Sequence, residues 1–481
     1  MVSAPFDKPI DKEIQLKNTE QINPDMGYFK GVQVPTYDAI LNCVRCGMCL
    51  PHCPTYHEMK VERASPRGRA ALVRAVADGQ LELTKNFNDA MYLCLDCRAC
   101  ETACPSGVRI GYLIESARSQ IEQNMHRNVF VRMFRYLTLC WIFLRQSRLE
   151  IATAPLRWYQ QSGLQTLVRK SGLMKLLPKR IRFMEELAPT DLKTPFRKVV
   201  PDVVPAVGQE KARVGYFLGC MMSLMFNKTT NATVTVLTRS GCTVITPKEI
   251  RCCGAPLMSE GFKHKAVDEL MRFNIDLFEK LDVDYIITDC AACGAALKEY
   301  EEIFEHDPEY REKAKRFSHK VREVTEFLAE WQHYVGPSMP KNNERVIYDD
   351  PCHLAHAQQV WNQPKKVIES IPGIEFVKLP EGDWCCGSAG IYNITHHDMA
   401  MKVLDRKMDN VAKTKADILL TANPGCLLQL SYGVRKNNLP MQVKHVVEML
   451  VDEDENFCHR DNPTGKCPTC GRKPRPECTG K

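Results

Sequence analysis

Residues 211–452 alternate short apolar runs, which predict β-strands, with longer segments of helical periodicity. The apolar runs occur in matching pairs along the chain, 214–220 with 346–352 and 285–293 with 418–426. Segments with the pattern of amphipathic helices, such as 264–280 and 398–413, lie between them. Because strands that alternate with helices favour parallel sheets, we predict two copies of a small α/β unit, over residues 211–335 and 340–452.

The rest of the chain has a different pattern. We predict an arm of low intrinsic order over residues 1–36, a helical domain over 37–125, and a basic helical connector with a linker over 126–210. Helices are expected at Tyr37–Asn42 and Ala70–Asp78, and the linker at Pro201–Gly208. A Cys-rich tail follows the second repeat over residues 453–481.

The connector contains the stretch that comes nearest to a membrane-spanning segment, residues 129–144. It is too short to span a bilayer, and Arg132 and Arg135 interrupt it. Its arginines are interleaved with aromatic residues such as Trp141 and Trp158, which would suit a helix at a membrane interface. The interpretation that we favour is an amphipathic helix packed on its own protein, with solvated arginines.

The cysteines of the helical domain form two runs of the pattern C-x2-C-x2-C-x3-C-P, which end at Pro54 and Pro105. In bacterial two-cluster ferredoxins, three closely spaced thiolates of such a run bind one 4Fe-4S cluster and the fourth binds the other cluster. The predicted pairing is therefore crossed. We expect Cys43, Cys46, Cys49 and Cys104 to hold the first cluster, and Cys94, Cys97, Cys100 and Cys53 to hold the second.

Two alternatives explain this pattern less well. Zinc sites use paired C-x2-C motifs, but they need neither a third thiolate nor a proline after the fourth. A disulfide framework is disfavoured because the sequence starts without an apolar signal segment, which predicts a reducing compartment. Each cluster would also bring about two negative charges, so the formal charge of +7 predicts no nucleic-acid surface.

The repeats carry cysteines where their strands are predicted to end, which is where open parallel sheets place their sites. The first repeat has five, Cys220, Cys252, Cys253, Cys290 and Cys293, and the second has four, Cys352, Cys385, Cys386 and Cys426. Buried free cysteines are the structural alternative. Nine cysteines in register favour metal binding, more strongly in the first repeat because we place Gln429 at the position that matches Cys293.

Several other residues have two interpretations. His353 and His356 could donate to a cluster sulfur or pack at the start of a helix, and Arg67 and Arg69 could bind a partner or neutralise cluster charge. Cys140 and Cys242 are expected to be buried small residues. In the tail, the candidate zinc ligands are Cys458, Cys467, Cys470 and Cys478, and a disordered tail is the alternative.

The chain contains no G-x-G-x-x-G motif after a predicted strand and no P-loop, so neither FAD nor a nicotinamide cofactor is expected in it. A protein with iron-sulfur clusters and no two-electron cofactor accepts electrons singly and passes them on. We therefore expect a chain without catalytic residues of its own, which works as one subunit of an oxidoreductase.

These motifs in combination resemble the glycolate oxidase iron-sulfur subunit family. The resemblance covers about residues 37–452 and rests on the segments 65–69 (SPRGR), 97–109, 385–390 (CCGSAG) and 422–426 (ANPGC). The repeats resemble the CCG domain of heterodisulfide reductase subunits, which implies a third iron-sulfur cluster at the five-thiol set. Gln429 departs from that pattern, so a shared cluster or a four-thiol cubane stays open for the second repeat.

The resemblance also implies partners. Such a subunit works with an FAD-containing subunit that oxidises glycolate or D-lactate, and electrons leave toward the quinone pool, which implies a cytoplasmic protein that can lie peripherally on the membrane. A catalytic thiol-disulfide reductase, the iron-sulfur subunit of anaerobic glycerol-3-phosphate dehydrogenase, and a metal-stabilised scaffold without a redox role are the alternatives. No nucleic-acid partner is expected.

Overall fold

The computed structural model describes residues 25–31, 33–125, 128–171, 174, 178–189, 192–337 and 343–452. The chain divides into two compact units, Met1–Arg127 with Met258–His264, and Asn128–Leu257 with Lys265–Lys481. Most of the expected N-terminal arm and the whole Cys-rich tail lie outside the described residues. The last part of that arm is ordered, because strands β1 (Asp25–Met26) and β2 (Phe29–Lys30) form an antiparallel hairpin.

The first unit is helical, as predicted. Its helices are Tyr37–Leu41, Pro54–Met59, Pro66–Ala77, Lys85–Tyr92, Ala99–Thr102 and Ile110–Asn124, with a 3-10 turn at Glu62–Ala64. Helix Pro66–Ala77 begins earlier than expected because Ser65 caps it. The Ser65 hydroxyl accepts a hydrogen bond from the Gly68 amide at 2.9 Å, and proline suits the first helical turn.

The core of the first unit lies between helices Pro66–Ala77 and Ile110–Asn124. Val73 and Val76 face Leu113 and Ile121, and all four side chains are at most 1% exposed. Phe29 of the hairpin enters the same core, which explains why the end of the expected arm is ordered. This packed scaffold carries the two short loops that contain the cysteine runs.

The connector belongs to the second unit. It forms helices Val129–Arg135, Gln146–Gln161, Leu164–Lys170 and Lys179–Leu187, a π-helical segment at Tyr136–Ile142, and a 3-10 turn at Phe196–Lys198. Helix Val129–Arg135 has no buried residue, so the expectation that it packs on its own protein is wrong for these turns. Among the residues that the structure describes, no helix is both long and apolar enough to cross a membrane.

The first repeat contains a five-stranded sheet with the order β3-β5-β4-β6-β7. Its strands are β3 (Val203–Val204), β4 (Ala212–Tyr216), β5 (Cys242–Ile245), β6 (Tyr285–Thr288) and β7 (Val321–Glu323). Four strands are parallel, as predicted, whereas β3 is antiparallel to β5 and occupies the segment predicted to be a linker. The edge strand thus uses part of the expected linker.

Helices alternate with the strands of the first repeat. They are Cys220–Met225, Asn227–Arg239, Ala255–Ser259, Lys263–Ala266, Arg272–Glu279, Ala291–Lys298, Tyr300–Ile303, Arg311–Lys320 and Val324–Glu330, with a π-helical turn at Val267–Met271. Every strand except β3 is parallel and is reached through a helical crossover. The carboxyl ends of these strands therefore meet at one edge of the sheet. Cys220 and Cys290 follow β4 and β6 at this edge.

The second repeat copies this sheet with four parallel strands in the order β11-β10-β8-β9. The strands are β8 (Glu344–Tyr348), β9 (Ile374–Phe376), β10 (Ile418–Thr421) and β11 (Gln442–His445). The helices are Gln363–Glu369, Tyr392–Thr395, His397–Thr414 and Pro424–Lys436, with a π-helical turn at His353–Ala357 and a 3-10 turn at Val446–Met449. The predicted fold class, a helical domain followed by two α/β repeats, is confirmed.

The two repeats pack directly against each other at the ends of their central strands. Ala291 and Ala422 follow β6 and β10, and the Ala291 amide donates to the Ala422 carbonyl at 3.0 Å. Both alanines are fully buried in a small apolar cluster with Leu354 and Val360. The cysteine-bearing edges of the two sheets are therefore neighbours.

Candidate metal centres

Two cavities in the first unit are lined by cysteines of the predicted ferredoxin pattern. The first cavity is lined by Cys43, Cys46, Cys49 and Cys104, and Cys100 also reaches it. The second is lined by Cys53, Cys94, Cys97 and Cys100. Each cavity thus contains three cysteines of one run and the fourth cysteine of the other run, and Cys100 borders both.

The two runs have the same backbone turns between their cysteines. Arg45 and Asp96 occupy matching positions with φ of 58° and 52°, and Gly47 and Arg98 match with φ of 89° and 60°. These left-handed residues let the chain turn sharply between successive cysteines. In the first cavity, the Val108 amide donates to a cysteine sulfur at 3.3 Å. In the second cavity, the Asp96 amide donates to a cysteine sulfur at 3.4 Å.

A buried arginine supplies positive charge to the second cavity. Arg69 is 1% exposed, and its guanidinium donates to the Ala90 carbonyl, to the Thr55 hydroxyl at 2.9 Å and toward the Cys53 sulfur at 3.9 Å. Because it is buried, the Arg69 guanidinium places its positive charge beside the Cys53 sulfur rather than at the protein surface. Arg67 instead forms a half-exposed ion pair with Glu62 at 2.7 Å.

In each cavity, burial makes at least one thiol harder to ionise. Burial raises the pKa of Cys94 to about 11, although Arg69 and Arg118 oppose this, and burial likewise raises the pKa of Cys49 to about 11. Metal binding requires thiolates and releases their protons, so a bound metal centre would compensate for this cost.

In the first repeat, the five cysteines form a continuous series of sulfur contacts. The Cys220 and Cys252 sulfurs are 3.9 Å apart, while Cys253 and Cys290 both contact Cys293. All five side chains are at most 7% exposed. Contacts with the Cys253 and Cys290 sulfurs, together with burial, raise the pKa of Cys293 well above its usual value. Five buried sulfurs in contact fit a multi-iron centre with sulfur ligands.

In the second repeat, the four cysteines make an equivalent but shorter series. The Cys386 and Cys426 sulfurs are 3.4 Å apart, and Cys385 contacts both Cys352 and Cys386. A ring nitrogen of His353 lies 3.4 Å from the Cys352 sulfur, whereas His356 faces the Asp383 carbonyl at 3.5 Å. Of the two histidines, His353 is therefore the one placed to influence a bound centre.

The structure agrees with the pairing of residues 285–293 with 418–426 and corrects the placement of Gln429 opposite Cys293. Cys290 follows strand β6 and caps helix Ala291–Lys298, and Asn423 occupies the same place after β10, as the cap residue of helix Pro424–Lys436. Asn423 therefore matches Cys290, and Cys426 matches Cys293, so the prediction that Gln429 replaces a cysteine is wrong. Gln429 lies one turn further along its helix, fully buried.

Asn423 lies between the two sulfur sets. Its Oδ1 accepts a hydrogen bond from the Ala292 amide at 3.2 Å and lies 3.7 Å from the Cys290 sulfur. Its Nδ2 faces the Cys426 sulfur at 3.6 Å. One side-chain amide thus contacts a cysteine of each repeat, and the correct repeat alignment would have pointed to it.

Sequence reasoning also missed a buried ion pair in the second repeat. Lys407 is fully buried, and its ammonium lies 2.5 Å from Asp349 and donates to the carbonyls of Gly382 and Trp384. Burial raises the pKa of Asp349 to about 6, while Lys407 opposes that shift. The pair ties the end of β8 to the loop that precedes Cys385. The available signal was a lysine on the apolar face of helix His397–Thr414.

The remaining cysteines of the described chain behave as expected. Cys140 and Cys242 are buried, at 1% and 0% exposure. Across the part of the chain that the structure covers, no three His, Cys, Asp or Glu side chains converge as the ligands of a single metal ion. The predicted zinc ligands of the tail lie outside the described residues.

Comparison with known families agrees with this architecture. A 4Fe-4S dicluster domain matches residues 39–108, and a cysteine-rich domain matches residues 214–298 and 346–431. The linker region of the glycolate oxidase iron-sulfur subunit matches residues 130–188. Fold and cysteine arrangement therefore define an iron-sulfur protein with one dicluster module and two cysteine-rich repeats.

Individual relatives give the family. The probable glycolate oxidase iron-sulfur subunit of Bacillus subtilis is 42% identical over 416 residues, which cover 86% of this chain and 94% of the relative. The glycolate oxidase iron-sulfur subunit of Escherichia coli is 31% identical, with the same coverage of each chain. Lactate utilization protein A of Geobacillus thermodenitrificans is 33% identical over 50% of this chain and 98% of its own length. The chain belongs to the glycolate oxidase iron-sulfur subunit family, which confirms the resemblance.

Proposed function

We propose that this chain is the electron-transfer subunit of a flavin-dependent 2-hydroxyacid dehydrogenase that acts on glycolate or D-lactate. The observation that carries this function is the pair of cavities lined by the cysteines of the two runs, in a chain that also contains two further cysteine sets. The names of the relatives, glycolate oxidase iron-sulfur subunit and lactate utilization protein A, support the substrate class.

The cysteines that line each cavity support the following ligand sets. Cys43, Cys46, Cys49 and Cys104 would hold one 4Fe-4S cluster, and Cys94, Cys97, Cys100 and Cys53 would hold a second, in the crossed arrangement. The five thiols of the first repeat would hold a third iron-sulfur centre, and the four of the second repeat are the candidate ligands of another. When bound, these groups supply one-electron redox chemistry.

The protein side chains control the charge of these sites. Amide donors at Asp96 and Val108 stabilise negative charge on cysteine sulfurs, and Arg69 adds a fixed positive charge beside Cys53. Each feature favours the form that carries an extra electron, because a hydrogen bond or cation near sulfur offsets the added negative charge. Burial of Cys53, Cys97 and Cys100 keeps water away from these sulfurs and strengthens such interactions.

The electron donor would be a separate FAD-containing subunit, and the acceptor would be quinone or another membrane carrier. A cytoplasmic location with peripheral contact to the membrane follows from that acceptor. A decisive experiment expresses the chain anaerobically with and without its flavoprotein. The complex should reduce a dye with glycolate or D-lactate, and the isolated chain should not. Substrate oxidation by the isolated chain would overturn the proposal.

The rival function, thiol-disulfide reduction at the five-thiol set, has less support. A substrate disulfide must reach a sulfur, yet Cys220, Cys252, Cys253, Cys290 and Cys293 are all buried. Replacing Cys293 with serine would abolish disulfide turnover in such an enzyme. A zinc site in the tail is a separate proposal, which zinc analysis before and after trimming at residue 454 would test.

A further inference from the structure

The segment Val129–Ile142, here called the connector helix, exposes an unusual amount of apolar surface. Phe130 is 75% exposed, Val129 67%, Phe134 66% and Met133 62%. The helix is attached to the second unit through its far end, where Leu139 and Cys140 are buried. Its first two turns therefore carry large apolar side chains that no described part of the second unit covers.

The charge of this segment has one sign only. No aspartate or glutamate occurs between Glu122 and Glu150, whereas arginines occur at positions 127, 132, 135, 145 and 148. Arg132 and Arg145 are exposed. A surface that is both apolar and exclusively cationic complements an anionic layer with an apolar interior.

The positions of the polar residues fit a helix that lies along such a layer. Arg132, Arg135 and Thr138 follow at three-residue spacing and form a narrow polar stripe, while the rest of the circumference is apolar. The exposed Arg132 can keep its guanidinium in water while its stem lies along the apolar region of the interface. Tyr136 and Trp141, both about half exposed, are residue types that favour the headgroup level.

We propose that the connector helix binds the surface of a membrane that contains anionic lipid, with its apolar side chains inserted among the headgroups. The occupant is lipid because the complementary partner must be apolar and anionic at once over the whole exposed length. The inference rests on the proposed function in one respect: a membrane contact brings the subunit to a quinone acceptor. It assigns a role to the region that the family match describes only as a linker.

The test uses the full-length, iron-loaded chain in flotation with two kinds of vesicle. One kind is phosphatidylcholine alone, and the other is phosphatidylcholine with an equal part of phosphatidylglycerol. We expect binding to the anionic vesicles that weakens as salt is added, since exposed charges are screened. The double variant Phe130→Ser with Phe134→Ser should bind at least about tenfold less, because most of the inserted apolar area is lost.

The matched control is Val203→Ser with Val207→Ser, which removes two exposed apolar side chains outside the connector helix. This control should float with anionic vesicles as the wild type does. Absence of vesicle binding, or equal binding by the Phe130 and Phe134 variant, would overturn the proposal. Loss of a co-purifying flavoprotein in that variant, without vesicle binding by the wild type, would show a protein interface instead and also overturn it. Dye-linked turnover by the complex tests the proposed function separately, since dye reduction needs no membrane.

Discussion

Replacing Lys407 with asparagine should strongly destabilise the second repeat, because it leaves a carboxylate buried without its cation. The Lys407 ammonium has no exposed surface and contacts Asp349 at 2.5 Å and two loop carbonyls at 2.7 and 2.8 Å. After the substitution, the Asp349 carboxylate retains the hydrogen bond from the Thr421 hydroxyl, at 2.9 Å. Removing one partner of a buried ion pair costs about 3–5 kcal/mol.

The first repeat provides a rescue for this change. Phe217 and Asn274 occupy the positions that match Asp349 and Lys407. Phe217 follows β4 directly, as Asp349 follows β8. Asn274 and Lys407 lie at the same distance in sequence beyond the CCG motifs of their repeats. The double variant Asp349→Phe with Lys407→Asn therefore installs the two neutral residues found at these positions in the first repeat and removes the buried charges. We expect it to recover most of the lost free energy of unfolding.

The assay is anaerobic urea unfolding of the iron-loaded chain, followed by circular dichroism. Lys436→Asn serves as the control, because it breaks an exposed pair with Asp405, which is worth about 0–1 kcal/mol. The deficit of Lys407→Asn should also shrink at acid pH. Burial raises the pKa of Asp349, so the unpaired acid is held neutral in the folded state as pH falls. A loss no larger than that of the control, or a double variant as unstable as the single, would refute the reasoning.

Three further results are expected. Asn423→Asp replaces the amide that faces the Cys426 sulfur with a carboxylate. A redox titration monitored by electron paramagnetic resonance should then show a more negative reduction potential for a centre in the repeats. An unchanged potential would contradict an influence of Asn423 on that centre. Cys97→Ser should lower the iron content by roughly four atoms per chain, the content of one cluster, whereas Cys140→Ser should retain all iron. Burial raises the pKa of Glu323 to about 8, so over this range the folded state holds a proton that the unfolded chain loses. The free energy of unfolding should therefore fall as pH rises from about 4.5 to about 8. Thermal unfolding of Glu323→Gln should show a smaller fall.

The sequence was sufficient for the features that local spacing determines. The two C-x2-C-x2-C-x3-C-P runs limit where their sulfurs can lie, and the structure brings Cys104 to the first run and Cys53 to the second. The parallel pairing of the strands in the repeats follows from alternating apolar runs and helices. Helix Pro66–Ala77 was predicted too short because the cap formed by Ser65 was not used.

Features set by contacts distant in sequence could not be predicted in the same way. Lys407 looks like a surface residue by type, and only the position of Asp349 at the end of β8 explains why it can be buried. The exposure of Phe130 and Phe134 depends on what the rest of the fold leaves uncovered, which periodicity does not report. Strand β3 consists of two residues in a proline-containing segment, too few for an alternating pattern.

The exchange of Cys290 for Asn423 shows how one scaffold can hold two unequal sulfur sets. Both residues cap a helix at the carboxyl end of a central strand, where backbone amides point outward and favour negative charge. Cysteine at that place offers a ligand, whereas asparagine offers both a donor and an acceptor. The side-chain carbonyl of Asn423 accepts a hydrogen bond from the Ala292 amide of the first repeat. Its amide nitrogen faces the Cys426 sulfur of the second repeat. The loss of one thiol therefore creates a polar connection between the repeats, so a change of charge on one sulfur set should be felt by the other through a single side chain.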